Sequence, residues 1–233
     1  MPVDLLVFGP HPDDIEIGLG GTIARHTALG ATVGLCDLTG GEMGSNGTVE
    51  QRLEESEAAR VVLGAKWREN LGWPDRGIGK DAGHLDEAVA VIRRHRPSTI
   101  AVPYWVDRHP DHVAASELLT EAAFNAGLHR YRPEGEAWKT WVCYYFINDS
   151  APPSFVIDVS DFYQKKRDAL DCHSSQFSRN QPETAPTRLN TPLFRQLIES
   201  RDAQFGAQVG MTWAEGFVVR EPIVRASLLK PVR

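Results

Sequence analysis

Two short clusters bring imidazole and carboxylate together in this chain: His11-Pro12-Asp13-Asp14 and Asp107-Arg108-His109-Pro110-Asp111-His112. Each follows an apolar run, Leu5-Leu6-Val7-Phe8-Gly9 and Thr99-Ile100-Ala101-Val102-Pro103-Tyr104. That is how an open parallel sheet delivers residues to the crevice beyond the carboxyl ends of its strands. Imidazole nitrogen with carboxylate oxygen suits a divalent metal such as zinc, and catalytic zinc keeps three protein ligands plus one open position. His11 and Asp14 converge if the backbone turns sharply after the strand, which Pro12 favours by fixing φ. The third donor then comes from the second cluster. Asp13 is left beside the metal but pointing elsewhere, where a carboxylate takes the proton of a water whose pKa the metal lowers to about 7. The other histidine of the second cluster faces the substrate carbonyl, as an imidazolium that stabilises an oxyanion and then protonates a leaving nitrogen. Asp111 lies between the two histidines and can fix the charged tautomer of one of them. A single His-x-x-Asp arises readily by chance, whereas two on two strand ends point to a zinc-dependent hydrolase.

The elements that must position these residues alternate apolar runs with helical patterns, which argues for βαβ units and a parallel sheet. Strands are expected at 3–9, 32–38, 67–71 and 99–104, and helices at 15–29, 49–64, 84–95 and 110–127. Gly18, Gly20 and Gly21 open the first helix to close packing. Their spacing is not that of a dinucleotide loop, for which Asp37 is the only acidic partner. Residues 39–48, with four glycines, form a long loop beside a strand end, where function concentrates. In the second half, 141–147 and 155–159 read as strands forming a hairpin-like pair around Pro152-Pro153. A helix over 160–173, a polar surface loop over 174–192, a helix from 193 to 206 and a closing segment Gly216–Val219 follow. No repeat or linker divides the chain, so residues 1–233 read as one domain.

The 233 residues are 42% hydrophobic and 24% charged, ordinary for a soluble globular protein with a real core. A net charge of −6 gives no reason to expect nucleic acid or an anionic membrane as partner. No apolar stretch reaches the length of a membrane span, and the N-terminus has no signal core. Cys36, Cys143 and Cys172 lie far apart; the first two sit in apolar runs and read as buried thiols, which fits a cytoplasmic location. His26, His84, His95, His129 and His173 lack a partner carboxylate pattern and read as surface residues.

The two clusters resemble the defining motifs of the LmbE-like, or N-acetylglucosaminyl-phosphatidylinositol de-N-acetylase, superfamily of zinc deacetylases. Further segments look most like the bacillithiol-biosynthesis branch, which removes acetyl from N-acetylglucosaminyl-malate: 41–52 (Gly41-Glu42-Met43-Gly44-Ser45-Asn46-Gly47-Thr48-Val49-Glu50-Gln51-Arg52), 103–109 and Ala214-Glu215-Gly216-Phe217. The resemblance implies a Rossmann-like α/β fold, a mostly parallel sheet with helices on both faces, and a homo-oligomer such as a hexamer. It implies that His11, Asp14 and His112 bind Zn2+ (Fe2+ suits the same ligands), that Asp13 is the general base, and that His109 is the electrophilic or acid residue supported by Asp111. Arg52 matches an arginine facing the sugar pocket, and Arg52 or Arg108 is expected to fork onto a malate carboxylate. The bland alternative pairs Arg52 with Glu50 or Glu55 on a solvated helix. Mycothiol-type relatives carry a tyrosine where this chain has Asp107, which leaves open whether Tyr104 assists the oxyanion. Other N-acetylated sugars, such as chitooligosaccharides or antibiotic precursors, are the competing small-molecule substrates. A non-catalytic metal- or sugar-binding module would need ligands but no base, and Asp13 argues against it.

Overall fold

Leu5–Gly9 (β1) is buried along its whole length because it has a parallel neighbour on each side, Val33–Thr39 (β2) and Thr99–Pro103 (β4). Its side chains alternate between two cores: Leu5 and Val7 enter one, Leu6 and Phe8 the other. A strand buried on both faces reads as a continuous apolar run, which is how it was legible. Trp67–Trp73 (β3) and Trp141–Tyr145 (β5) extend the parallel sheet on either side. Ala214–Val218 (β7) and Phe155–Asp158 (β6) complete the order β3-β2-β1-β4-β5-β7-β6. The computed structural model describes residues 2–131, 134–178 and 184–224. Among these, no helix is long and apolar enough to cross a membrane.

Helices cover both faces. Asp14–Ala28 (α1), Val49–Leu63 (α2) and Tyr163–Cys172 (α5) pack together over one core, and Gly83–His95 (α3) and Pro110–Ala126 (α4) over the other. The short Ser174–Phe177 (α6) and the long Pro192–Val209 (α7) close the chain before β7. α1 starts after β1 and α4 after β4, adjacent strands whose crossovers run in opposite directions along the sheet. Both clusters therefore open onto one crevice.

α1 is broken at Leu19 (φ −146°, ψ 28°). The break is stabilised from the far end of the chain. Glu215 on β7 accepts hydrogen bonds from Gly21 N at 3.0 Å and Thr22 N at 2.6 Å, and Arg201 Nη2 donates to Ile17 O at 2.8 Å. Lys166 Nζ, fully buried, sits 2.7 Å from both Glu215 Oε1 and Asp202 Oδ2. Close packing explains Gly18, where a Cβ would lie 2.2 Å from the Tyr145 ring.

Three readings from the sequence need correction. β5 and β6 are not a hairpin: β7 lies between them, antiparallel to both. Its Phe217 stacks on Phe155 with ring centroids 5.5 Å apart, so apolar matching across the sheet overrode adjacency in sequence. His84, His95 and His173 are buried rather than on the surface. His84 stacks on Trp73 and His95 on Trp67, while His173 Nε2 lies 3.2 Å from Glu16 Oε2. Finally, 174–192 is not a plain surface loop; its described part carries α6 and lines the crevice. Cys36 and Cys143 are buried free thiols, as expected.

Candidate active site

The turn after β1 is tight. His11 N donates to Asp14 Oδ2 at 3.0 Å, and Asp13, the N-cap of α1, takes φ 112°, a left-handed value that an L-residue adopts only under constraint. This turn aims Asp14 at two imidazoles. Its Oδ2 is 3.0 Å from His11 Nδ1 and 3.3 Å from His112 Nε2. In a tetrahedral site with metal–ligand bonds of ~2.0–2.1 Å, ligand atoms stand about 3.3 Å from one another, so these separations fit a shared ion. His109 is close as well: one nitrogen from each of His11, His109 and His112 falls within 4.8 Å of the others.

The outer nitrogens of the two imidazoles are also held. His11 Nε2 lies 3.2 Å from Asp75 Oδ1 and 3.3 Å from Asp111 Oδ2, and His112 Nδ1 lies 3.1 Å from Asp107 Oδ1. Carboxylates behind imidazoles fix the ring orientation and tautomer of metal ligands. Asp107 also accepts from His109 N at 2.8 Å and from Asn148 N at 3.0 Å, so one carboxylate sets both the ring and the loop that carries it. Through Asp14 Oδ2, 3.0 Å and 3.3 Å from the two imidazole nitrogens, His11, Asp14 and His112 could hold a divalent ion; His11, Asp75 and Asp111 form a second group with donor atoms within 4.8 Å of one another.

Asp13 is buried beside this cluster. Burial pushes its carboxyl up, opposed by Arg52 and reinforced by Asp14, to about 6. A carboxylate poised there is suited to general-base work near neutral pH. His109 differs from the imidazolium expected. It caps α4, its Nδ1 accepting from Asp111 N at 3.2 Å, so the neutral ring carries its proton on Nε2. Burial, then the nearby His112 and His11, holds it below the ordinary histidine value.

These groups line one open cavity of about 670 Å³, walled also by Ile17, Met43, Ile147 and Phe194, in the size range of small-molecule sites.

A family model described as PIG-L, GlcNAc-PI de-N-acetylase, matches residues 6–123, a span holding both clusters. The chain belongs to this family. It is 31% identical over 229 residues to the diacetylchitobiose deacetylase of Thermococcus kodakarensis, covering 91% of this chain and 81% of that one. Among solved structures, the conserved protein TT1542 from Thermus thermophilus superposes with TM-score 0.88 at 36% identity, covering 98% of this chain and 100% of that one. The 4-carboxy-2-hydroxymuconate hydratase GalB from Pseudomonas putida KT2440 superposes with TM-score 0.78 at 24% identity, covering 98% and 100%. That likeness shows the fold alone, and a hydratase on this backbone means that the reaction must be argued from the site.

In this PIG-L chain the fold brings His11, Asp13, Asp14, His109 and His112 into one cavity, with Arg52 and Arg108 on its lining. Arg52 is buried, and pairs with neither Glu50 nor Glu55. Its guanidinium donates to Gly41 O at 2.8 Å, Pro12 O at 2.7 Å and Asp13 Oδ2 at 3.3 Å. It clasps the strained turn rather than presenting an open fork. The Asp111 carboxylate lies against His11 and Arg76, and reaches His109 only through its backbone amide. Tyr104 packs on Trp105 and Phe146, away from the cavity lining. Sequence reasoning missed the positioning of Asp75, Asp107 and Asn148. Asp75 had a readable signal, a Pro-Asp-Arg-Gly turn at the carboxyl end of β3, the same strand-end rule that flagged the two clusters.

Proposed function

We propose that this protein is a zinc-dependent hydrolase that removes the N-acetyl group from an N-acetylglucosaminyl conjugate. The observation that carries the reading is Asp14 Oδ2 held 3.0 Å from His11 Nδ1 and 3.3 Å from His112 Nε2 on the floor of an open cavity, with Asp13 next in the chain. His11, Asp14 and His112 would hold a divalent ion, which would supply Lewis acidity and lower the pKa of water. Asp13 accepts the proton of the attacking water. His109 donates its Nε2 hydrogen to the oxygen of the amide as charge develops there, which stabilises the transition state more than the ground state. The leaving amine needs a proton, and Asp13 returns the one it took from water. Asp111 and Asp107 hold the imidazoles from behind, and Arg52 holds the turn that carries Asp13.

The family match and the 31% identity to a diacetylchitobiose deacetylase support the reaction class. Within that class we place N-acetylglucosaminyl-malate first among substrates, on the loop 41–52 and the arginines of the cavity. Disaccharide substrates of the kind named for the Thermococcus relative are the alternative. Acetate release from a small panel of N-acetylglucosaminides, with metal content measured on the same preparation, tests the reading. About one divalent ion per chain and release of acetate are expected. His112→Ala should lose most of the ion. Full metal and full activity in that variant would sink the assignment.

A further inference from the structure

The cavity lining combines two kinds of charged group. Its floor is imidazole and carboxylate, suited to a cation. Arg76, Arg108 and Arg188 also line it, in a chain whose net charge is −6. These three arginines are not equivalent. Arg76 Nη1 donates to Asp111 Oδ1 at 2.7 Å and so serves the floor. Arg108 is exposed; its backbone N donates to Asp149 Oδ2 at 2.7 Å, and its guanidinium has no hydrogen-bond or ion-pair partner among the described residues. Arg188 lies over the Phe194 ring at 5.2 Å and donates one N–H, from Nη1, to Asn148 Oδ1 at 3.3 Å. Its other donors have no partner among the described residues.

The backbone that carries Arg188 is fixed in advance. Asn46, in the glycine-rich loop, accepts from Ala185 N at 2.8 Å and donates to Ala185 O at 3.0 Å, as a neighbouring strand would. Asn190 Nδ2 donates to the same carbonyl at 2.9 Å, and Thr191 Oγ1 donates to Arg188 O at 2.7 Å. A binding group held in place before the ligand arrives loses less entropy on binding. Asn148 links this arginine to the reacting centre, because its Nδ2 also donates to Asp107 Oδ1 at 3.1 Å behind His112. Two guanidiniums on the lining of one cavity repel each other, and an anion bound between them relieves that repulsion while filling their forked donors.

We infer that Arg108 and Arg188 form an anion subsite that selects conjugates whose aglycone carries a carboxylate or a phosphate. The inference rests on the deacetylase reading, and moves anion recognition from the buried Arg52 to a residue of the 184–191 segment. The test uses the metal-loaded full chain and three N-acetylglucosaminides of one aglycone skeleton, ending in a carboxylate, a phosphate monoester or a neutral carboxamide. One of the anionic substrates should exceed the carboxamide in kcat/KM by roughly tenfold or more, mainly through KM, and added salt should shrink the ratio. Which of the two wins identifies the anion. Arg188→Gln should bring the ratio towards one, and Arg188→Lys should keep part of it. Arg108→Gln gives an independent reading should Arg188→Gln fail to fold. Equal kcat/KM for all three substrates, or a ratio unchanged in both glutamine variants, overturns the subsite and leaves the deacetylase standing. Acetate release from none of the three overturns the deacetylase reading beneath it.

Discussion

Asp13 holds a backbone conformation, φ 112°, that costs of order 1–3 kcal/mol for an ordinary residue and persists only where its surroundings impose it. Arg52 imposes it here, bridging Pro12 O and Gly41 O while touching the Asp13 carboxylate. The strain turns neighbouring aspartates in different directions, Asp14 to the nitrogens of His11 and His112 and Asp13 to Arg52. Asp13→Asn keeps the shape and removes the basicity, so turnover should fall roughly 10²–10⁴-fold with metal content unchanged. Loss of metal in that variant, with retention in Asp14→Asn, would mean that the two aspartates have exchanged roles. Asp107 acts one step further out. Asp107→Asn should weaken metal affinity roughly 10–100-fold, read by competition with a chromophoric chelator. An unchanged affinity would remove Asp107 from the support of His112. Both clusters could be read from the chain as donor sets; which carboxylate stands behind which imidazole could not, because Asp75 and Asn148 reach them from other elements.

At the scale of elements, α1 depends on β7. Just past the break at Leu19, Glu215 accepts hydrogen bonds from the amides of Gly21 and Thr22. Removing that charge also leaves Lys166 with one buried partner in place of two. Breaking a buried ion pair costs about 3–5 kcal/mol, so Glu215→Gln should lower the free energy of unfolding in urea by that order. A loss under about 1 kcal/mol would mean that the network relaxes freely or that water enters. Gly18→Ala tests the packing on the other side of the break. Its Cβ would meet the Tyr145 ring at 2.2 Å, and Tyr145 cannot swing away while its hydroxyl donates to Phe8 O at 2.8 Å. We expect a loss of about 1–3 kcal/mol, checked by the same titration. The glycines announced close packing in the sequence, but the helix break did not.

For the whole molecule, pH acts through a buried charge cluster beneath the site. Arg68 joins Glu16 at 2.6 Å to Asp37 at 2.7 Å. Burial alone would push Glu16 up, but Arg68 and His173 outweigh it and hold its carboxyl at about 2, below an ordinary 4.5. A carboxylate depressed by folding stabilises the protein above its unfolded value and ceases to do so as pH falls through the folded one. Stability from Glu16 is therefore present above pH 4.5 and lost between there and about 2. Asp37, which burial pushes up despite Arg68, offsets part of this. The urea midpoint should fall over that window, and Glu16→Gln should flatten the fall. A wild-type midpoint independent of pH there would contradict the assignment.

The sequence by itself determined the parallel half of the sheet and the two strand ends that carry the imidazole–carboxylate clusters. Buried strands must be apolar throughout, and the residues that follow them are free to be polar, so both signals are local. Only the tertiary structure decided the rest. The order β5-β7-β6 depends on a strand some 60 residues downstream inserting between its neighbours. His173 lacks any local sign of burial, because its place is set by Glu16 across the fold. Arg52 reads as a helix-surface residue until the loop at Gly41 and the turn at Pro12 fold over its guanidinium. Arg188 sits in a polar stretch whose position depends on Asn46, a residue 142 positions earlier in the chain. Periodicity reports what a residue's own element buries; it carries no information about a partner that arrives from another.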